Sequence, residues 1–168
     1  MNVPRSAACV RIILFAATIS IALVPVAQAQ DASPTIAVSG RVQHPGTVSL
    51  KDLQALPRAA VSISFETSHG AESATYAGAL LWTVVGNAQP IDEPGKNARL
   101  RHTLMVTGRD GYEVALSWGE LDPDFEGKTV ILAYEKDGKP IDDGVRLIVP
   151  GDHHGGRAVK DVASIDAR

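Results

Sequence analysis

The sequence predicts an α+β fold in which a mixed β-sheet carries a few short helices. Apolar residues alternate in several short segments, and alternation with a period of two is typical of β-strands. Helical spacing or capping signals occur in only a few short stretches, and turn-forming pairs such as Asp137-Gly138 separate the strands. The clearest predicted core strands are residues 61–65, 130–134 and 145–149. We therefore expect one strand-rich domain.

The N-terminal segment, residues 1–29, has the form of a signal peptide. Two arginines precede an almost wholly apolar run at residues 12–26, and Ala27-Gln28-Ala29 fits the small-x-small pattern that signal peptidase cleaves. A membrane anchor is the alternative interpretation, but the run is short for a membrane span and no charged stop follows it. We therefore expect cleavage before Gln30, export of the mature chain and no membrane span in it.

The mature chain is expected to be acidic and free of cysteine. Loss of residues 1–29, which carry two arginines and no acidic residue, changes the formal net charge from −3 to −5 and leaves 139 of the 168 residues. This length suits one domain with its own core. The negative charge argues against nonspecific nucleic-acid binding. Because Cys9 is the only cysteine, the mature chain has no disulfide and no thiolate for a metal or for nucleophilic catalysis.

The elements that precede residue 130 are expected to be short. Further strands are predicted at residues 36–42, 104–107 and 112–116. The predicted helices are one capped by Ser49 that runs through Leu56, one over residues 78–85, and a single turn that begins at Ser117 in capping-box form. Residues 66–70 are expected to form a polar loop, and residues 86–103 a surface excursion.

The candidate functional residues fall in one continuous stretch, residues 130–165. It is predicted to run as strand, Asp-Gly turn, strand, glycine-rich loop and strand. One basic residue lies on the middle strand, and residues 152–157 form the loop, in which paired glycines precede an arginine. Glycine lets backbone N–H groups approach an anion, and arginine offers a planar fork of donors, so this combination can hold a phosphate. The candidate anion-binding residues are Arg146, Gly155, Gly156, Arg157 and Lys160.

Two other interpretations of this stretch remain open. Arg146 and Lys160 can be ordinary surface charges paired with Asp or Glu. His153-His154 suggests a metal site, but adjacent residues of an extended segment point to opposite sides. Zinc would need further ligands, so solvated loop histidines are the simpler interpretation. The available further ligands are His69, Asp152 and Glu66.

Segments spread over the chain carry a family resemblance. In order they are SGRVQHPGTVSLKDLQALP, YAGALLWTVV, TGRDGYEVALSWGELDP, LAYEKDGKPI, VRLIVPG and GGRAVKDVASI. Together they resemble the molybdopterin-binding domain of the sulfite oxidase family. The resemblance covers nearly all of the chain from about Ile36 onward, so residues 36–168 are assigned to this domain. It implies a sulfite oxidase molybdopterin-binding-domain-like fold, with molybdopterin or a related phosphate-bearing ligand as the cofactor.

The resemblance assigns roles to the basic residues. Arg146 in VRLIVPG matches a family arginine that contacts the pterin. Arg157 and Lys160 in GGRAVK match basic residues around the terminal phosphate of the cofactor. The family often has a histidine shortly before the arginine strand, where this chain has Asp142 and Asp143. These two acids would weaken an anion site that they faced, because like charges repel.

Two parts of the family's catalytic machinery have no counterpart in this sequence. The family's molybdenum-ligating cysteine follows the strand that corresponds to residues 61–65, but Glu66-Thr67-Ser68-His69 stands there in this chain. The oxygen-atom-transfer enzymes also carry an arginine-bearing segment before the first matched strand, where this chain has only residues 30–35. Hydroxyl and carboxylate oxygens are harder donors for molybdenum than thiolate. We therefore expect no bound molybdenum and assign no catalytic or metal-ligating residue.

The resulting expectation is a non-catalytic, molybdopterin-binding-like domain that keeps an anion or pterin-phosphate pocket. The signal peptide and the family resemblance together imply export to a bacterial periplasm. One alternative is a molybdenum–molybdopterin oxidoreductase that uses a non-cysteine metal ligand or the pterin alone. Another is a periplasmic protein-interaction module. The expected partner is thus a small anionic ligand or a periplasmic protein, and neither nucleic acid nor a membrane.

Overall fold

Two β-sheets and a few short helices make up the part of the chain that the computed structural model describes, namely Met1, residues 34–68 and residues 70–168. The predicted signal peptide beyond Met1 and the residue His69 lie outside these ranges. The strands, in chain order, are β1 (Thr35–Gly40), β2 (Gly46–Ser49), β3 (Arg58–Thr67), β4 (Gly70–Leu80), β5 (Thr103–Gly108), β6 (Glu113–Ser117), β7 (Ile131–Lys136), β8 (Lys139–Pro140), β9 (Arg146–Ile148) and β10 (Val162–Ala167). The helices are α1 (Leu50–Ala55), α2 (Leu81–Asn87) and α3 (Trp118–Leu121), with 3-10 turns at Ala98–Arg101 and Gly155–Arg157. Within the described ranges, no helix is long and apolar enough to cross a membrane.

The two sheets differ in strand direction. The first has the order β2-β1-β10-β5-β6, and its central β1–β10 pair is parallel while the other pairs are antiparallel. The second has the order β3-β4-β7-β8, with β9 also paired to β7. This combination of mixed strand pairing and short helices confirms the predicted α+β class.

The strand β7 is buried on both faces, as its doubly apolar sequence predicts. Leu132 and Tyr134 belong to the larger core cluster, which combines residues from both sheets. Ile131 and Ala133 point to the opposite face and belong to a smaller cluster that includes Phe65. Phe65 also lines the candidate site described below, so the smaller cluster packs directly against the wall of that site.

Local sequence signals determine where several elements begin and end. The Ser49 Oγ atom accepts a hydrogen bond from the Asp52 N–H at 3.2 Å, and the Asp52 carboxylate accepts one from the Ser49 N–H at 2.8 Å, which begins α1. Ser117 and its N3 glutamate form the predicted capping box of α3. Asp137 and Gly138 close the β7–β8 hairpin with φ values of 50° and 74°. These three predictions are confirmed.

The prediction for residues 66–85 is wrong in two places. Glu66 and Thr67, which were expected in a polar loop, belong to β3, and Gly70 is the first residue of β4. The pairing of these two strands runs from Arg58 opposite Ala79 to Thr67 opposite Gly70. The helix predicted over residues 78–85 begins only at Leu81, because β4 continues through Leu80. The sequence of β4 is rich in Ala, Gly and Ser, which have low β-propensity, so the strand depends on its pairing with β3 and β7.

Three predicted strands are displaced at their ends. The strand predicted over residues 145–149 is limited to Arg146–Ile148, where it pairs with β7. The strand predicted over residues 36–42 ends at Gly40, whose φ of 88° turns the chain. The last strand, which was expected directly after the loop of residues 152–157, begins only at Val162, because residues 157–161 still belong to the turn and loop that precede it.

Candidate ligand-binding site

A cavity of about 680 Å³ lies where the tip of the β3–β4 hairpin meets residues 152–157, which we call the glycine loop. We call it the glycine-loop cavity. Its lining residues are Phe65, Glu66, Thr67, Ser68, Glu72, Arg146, His154, Gly155, Gly156, Ala158 and Lys160. The volume falls within the range of about 300–1,000 Å³ that is usual for small-molecule sites. Of the five residues predicted to bind an anion, all but Arg157 line this cavity.

The hairpin tip and the glycine loop are bound directly to each other. The Glu66 N–H donates a hydrogen bond to the His153 carbonyl oxygen at 3.0 Å, and Glu66 and His154 form an isolated parallel bridge. A Cβ atom at Gly155 would lie 2.8 Å from Cε2 of Phe65, whereas one at Gly156 would meet no atom within 4 Å. Gly155 is therefore required for the close contact between loop and hairpin, and Gly156 is not.

Arg146 keeps most of its hydrogen-bonding capacity. Its Nη1 donates to the Tyr76 hydroxyl oxygen at 2.8 Å, while the carboxylates of Glu72 and Asp143 lie 3.7 and 3.6 Å from its nitrogens. Its Nε is buried and has no acceptor among the described residues. The side chain is only 13% exposed. A guanidinium can donate several hydrogen bonds, so an acceptor from a ligand can complete this arrangement.

A shared carboxylate holds the groups beside Arg146. The Glu72 Oε1 atom accepts hydrogen bonds from the Tyr76 hydroxyl and from Lys136 Nζ, each at 2.7 Å. The hydrogen bond from Lys136, and after it the one from Tyr76, lowers the pKa of the Glu72 carboxyl. Burial, and then the hydrogen bond to Glu72, raises the pKa of Tyr76. Glu72 therefore stays ionised at neutral pH and mainly neutralises Lys136, which leaves the charge of Arg146 only loosely balanced.

In Arg157, in contrast, each of the three guanidinium nitrogens donates a hydrogen bond to a carboxylate. Its Nε and Nη2 donate to the two oxygens of Asp152 at 2.9 and 2.6 Å, and its Nη1 donates to Oε1 of Glu120 at 2.9 Å. The hydrogen bonds that Arg157 donates to Asp152, and after them the one to Glu120, raise the pKa of the guanidinium. The structure does not bring this guanidinium into the cavity lining. Instead, Arg157 ties the glycine loop to α3.

A tyrosine adds a third attachment for the glycine loop. The Tyr112 hydroxyl, on the turn between β5 and β6, donates to the Gly156 carbonyl oxygen at 2.6 Å. Sequence reasoning did not identify Glu120 or Glu72 as site residues, since each reaches the site through a long-range contact. The loop is thus held by packing at Gly155, by Arg157 and by Tyr112.

Lys160 and the histidines complete the cavity edge. Lys160 is exposed, and its side chain has no hydrogen bond or ion pair within the part of the chain that the structure describes. His154 lines the cavity, whereas His153 contributes its backbone carbonyl. No group of three or more potential His, Cys, Asp or Glu metal ligands occurs among the described residues, which do not include His69.

Comparisons with known proteins relate the sequence to a molybdopterin-binding family and the fold to a sulfane dehydrogenase. The sequence model of the family described as oxidoreductase molybdopterin binding domain matches residues 23–168. Among solved structures, the chain is similar to the sulfane dehydrogenase SoxCD from Paracoccus pantotrophus, with a TM-score of 0.64 and 20% sequence identity. The similarity covers 79% of this chain and 37% of that one, and at this identity it shows the fold alone. The comparison with curated proteins gives no match.

Proposed function

The chain belongs to the oxidoreductase molybdopterin binding domain family, and on that premise we propose that its glycine-loop cavity binds a phosphate-bearing pterin ligand without catalysis. The contrast between two arginines carries this proposal. Arg157 donates three hydrogen bonds to carboxylates and lies outside the cavity lining. Arg146 lines the cavity and donates one hydrogen bond to a described residue. Arg146 is therefore the arginine that a ligand anion meets, and Arg157 positions the loop.

The phosphate end of such a ligand fits the residues present. A phosphate oxygen can accept hydrogen bonds from the Arg146 guanidinium, and Lys160 adds a positive charge at the exposed edge. Hydrogen bonds to charged groups contribute about 1.5–3 kcal/mol each before desolvation is subtracted. Because Lys160 is solvent-exposed, its share of the affinity is screened by salt. We expect modest binding that weakens as ionic strength rises.

The metal end of the family's cofactor does not fit the residues present. The segment that lines the cavity at the end of β3 consists of Glu66, Thr67 and Ser68, and the only cysteine of the sequence is Cys9, in the predicted signal peptide. These side chains offer oxygen donors, which are poor substitutes for a thiolate. The proposed role is therefore that of a binding module. Its proposed location is the periplasm, which the signal-peptide form of residues 1–29 supports.

Replacement of Arg146 is expected to remove most of the affinity for phosphate groups. We propose titration of the wild-type protein with inorganic pyrophosphate, followed by calorimetry and by NMR shifts of residues 146–160. Arg146→Met keeps an aliphatic stem and should weaken binding roughly 10- to 100-fold, because a buried charged donor is lost. Lys160→Ala should weaken it less, since its ammonium is exposed.

Matched controls separate local from general electrostatic effects. Arg41→Met removes the same charge from an arginine paired with Glu93, and Lys51→Ala removes a lysine on α1. Both should leave the pyrophosphate affinity nearly unchanged. Wild-type protein that binds no pyrophosphate, or an Arg146→Met variant that binds it as well as the Arg41→Met variant, would contradict the proposed function.

Protein purified from its native compartment is expected to contain substoichiometric molybdenum. The physical reason is the lack of a thiolate at the end of β3, where the cavity offers only oxygen donors. Elemental analysis by mass spectrometry checks this, with zinc and iron measured in the same digest as controls for adventitious metal. A stoichiometric molybdenum content would overturn the non-catalytic proposal and favour an oxidoreductase with a non-cysteine metal ligand.

A further inference from the structure

The strand β3 forms an open edge of the second sheet, because in the order β3-β4-β7-β8 it has a strand neighbour on one side only. Its 10 residues make it longer than the usual strand of about five or six. Natural proteins commonly protect such edges with lysine, proline, a bulge or a covering segment. The strand contains neither lysine nor proline, and its register with β4 runs without a bulge. An edge of this kind can pair with another strand.

The backbone groups that face outward from this edge belong to the even-numbered residues of β3. The Glu66 N–H faces outward, because it donates to the His153 carbonyl oxygen in the glycine loop at 3.0 Å. Thr75 of β4 lies opposite Ser62 and directs its backbone groups away from β3, to the N–H and the side chain of Asp137 at 2.8 and 2.9 Å. At such a position of an antiparallel pair the two residues face away from each other, so the Ser62 N–H and carbonyl also face outward.

Three successive outward positions are available for pairing. Ala60, Ser62 and Ser64 are exposed, and no backbone hydrogen bond from the described part of the chain reaches their outward groups. The glycine loop pairs with the edge at Glu66, which is where the open segment ends. Because the three side chains are small, another backbone can approach the edge closely.

We propose that β3 pairs with β3 of a second copy of the chain, antiparallel and about a two-fold axis at Ser62. In this register Ser62 lies opposite Ser62 of the second copy, and Ala60 lies opposite Ser64. Each contact occurs twice, as in any isologous dimer. The outward positions then form about six backbone hydrogen bonds between the copies, and the two second sheets become one continuous sheet.

The side chains in this register favour a second copy over an unrelated strand. Val61 lies opposite Ile63 of the second copy, so apolar side chains from the two smaller core clusters meet across the junction. Arg58 lies opposite Glu66 of the second copy. Glu66 is exposed, and its side chain has no hydrogen bond or ion pair among the described residues. Arg58 is 54% exposed and uses only Nη2 to bind Glu135, which leaves it further donors.

The strand is therefore complementary in charge to its own reversed copy. Since the glycine loop already uses the Glu66 backbone N–H, the contact between Arg58 and Glu66 is made by side chains alone. The inference uses neither Arg146 nor a bound ligand, so it goes beyond the proposed function and is tested separately from it.

The association state of the exported protein tests the pairing. Sedimentation equilibrium of the wild-type protein should show monomers and dimers with a dissociation constant on the order of 10 μM, as suits a small interface. Amide protons of residues 60, 62 and 64 should exchange slowly in concentrated protein and faster after dilution below that constant. Those of Val61 and Ile63, which face β4, should be protected at both concentrations and serve as the internal control.

A proline variant removes one outward donor and leaves the pairing of β3 with β4 in place. Ser62→Pro deletes an N–H that does not bond to β4, a position at which an edge strand tolerates proline. It should weaken the dimer roughly 10- to 100-fold, since two backbone hydrogen bonds are lost per dimer. Ser62→Ala is the matched control, because it loses the same hydroxyl contact with Thr75 but keeps the N–H. This control should dimerise nearly as well as the wild type.

Two charge variants test the register without proline. Arg58→Glu and Glu66→Arg each place like charges opposite one another in their own dimers, so each alone should dimerise several-fold more weakly than the wild type. An equimolar mixture should recover association, because each variant then meets the opposite charge at both junctions. These variants keep the test decisive if Ser62→Pro fails to fold.

Several results would overturn the inference. One is a wild-type protein that stays monomeric at about 1 mM, a concentration far above the expected dissociation constant. Others are a dimer that folded Ser62→Pro leaves intact, and a mixture of the charge variants that associates no better than its components. Protection of residues 60–64 that arises only when a different protein is added would identify another occupant and would also overturn it. None of these results bears on Arg146, so the pyrophosphate titration decides the proposed function separately.

Discussion

Leu147→Asp is expected to unfold the domain. Leu147 has no exposed surface, lies on β9 between Arg146 and Ile148, and pairs with the buried Leu132 of β7 in the second sheet. The substitution removes about 1.5–3 kcal/mol of side-chain burial and places a carboxylate in the core, which costs several kcal/mol more. That total is comparable with the whole stability of an ordinary domain, about 5–15 kcal/mol. Circular dichroism and NMR dispersion measure the result.

Ala115→Asp is the matched control for the Leu147 experiment. Ala115 is exposed on β6, at the edge of the first sheet, so the same carboxylate remains in water there. Its effect on the free energy of unfolding should stay within about 0.5 kcal/mol. A Leu147→Asp protein that is soluble and keeps the wild-type melting temperature would contradict the assignment of β9 as a core strand. It would also weaken the placement of Arg146, whose backbone β9 fixes.

The parts of the fold that the sequence predicted correctly depend on local chemistry. A serine or aspartate side chain can cap a helix whatever lies elsewhere in the chain, which is why Ser49 and Ser117 identified the starts of α1 and α3. Asp137-Gly138 identified its hairpin because both residues tolerate positive φ. The doubly apolar run before it predicted a strand buried on both faces.

The strand β4 was missed because its conformation is determined by its neighbours. Its small residues lack the alternation of a half-buried strand, and its C-terminal part runs without a break into the apolar residues of α2. Hydrogen bonding with β3 on one side and β7 on the other holds it extended. No sequence pattern within residues 70–80 indicates that this segment pairs with β3 and β7. Glu72 was consequently absent from the predicted site, although its carboxylate holds the Tyr76 hydroxyl and Lys136 beside Arg146.

The candidate site was predictable only in part for a similar reason. The order strand, loop, strand was enough to bring Arg146, the paired glycines and Lys160 to one cavity. Arg157 has few free donors because it is bound by the carboxylates of Asp152 and Glu120, which lie 5 and 37 positions away in the sequence. Glu120 belongs to α3. Sequence spacing cannot reveal that contact. The structure therefore divides two residues that the sequence treated alike into a cavity-lining arginine and a loop attachment.

The attachments of the glycine loop bear on the affinity expected for the proposed ligand. Packing at Gly155, the carboxylate pair around Arg157 and the hydroxyl of Tyr112 hold the loop from three directions. A loop that is already ordered loses little conformational freedom when a ligand arrives, so less of the interaction energy is lost to ordering. The modest number of charged contacts can then still give measurable affinity.

Gly78→Ala is expected to lower the free energy of unfolding by about 3 kcal/mol, because the added methyl group has no space. The β4–β7 register shifts between Ala77 and Gly78, so that Tyr134 bulges opposite them. A Cβ atom at Gly78 would lie 2.0 Å from the Leu132 carbonyl oxygen and 2.6 Å from the Ala133 Cα atom. Both are backbone atoms, so β7 itself would have to move.

Gly46→Ala provides the comparison for Gly78→Ala, since a Cβ atom at Gly46 on β2 would meet nothing within 4 Å. Alanine there reduces the freedom of the unfolded chain and should be neutral or stabilising by up to about 1 kcal/mol. Urea unfolding of the two variants measures the difference. Equal unfolding free energies would mean that β7 does not approach Gly78 this closely.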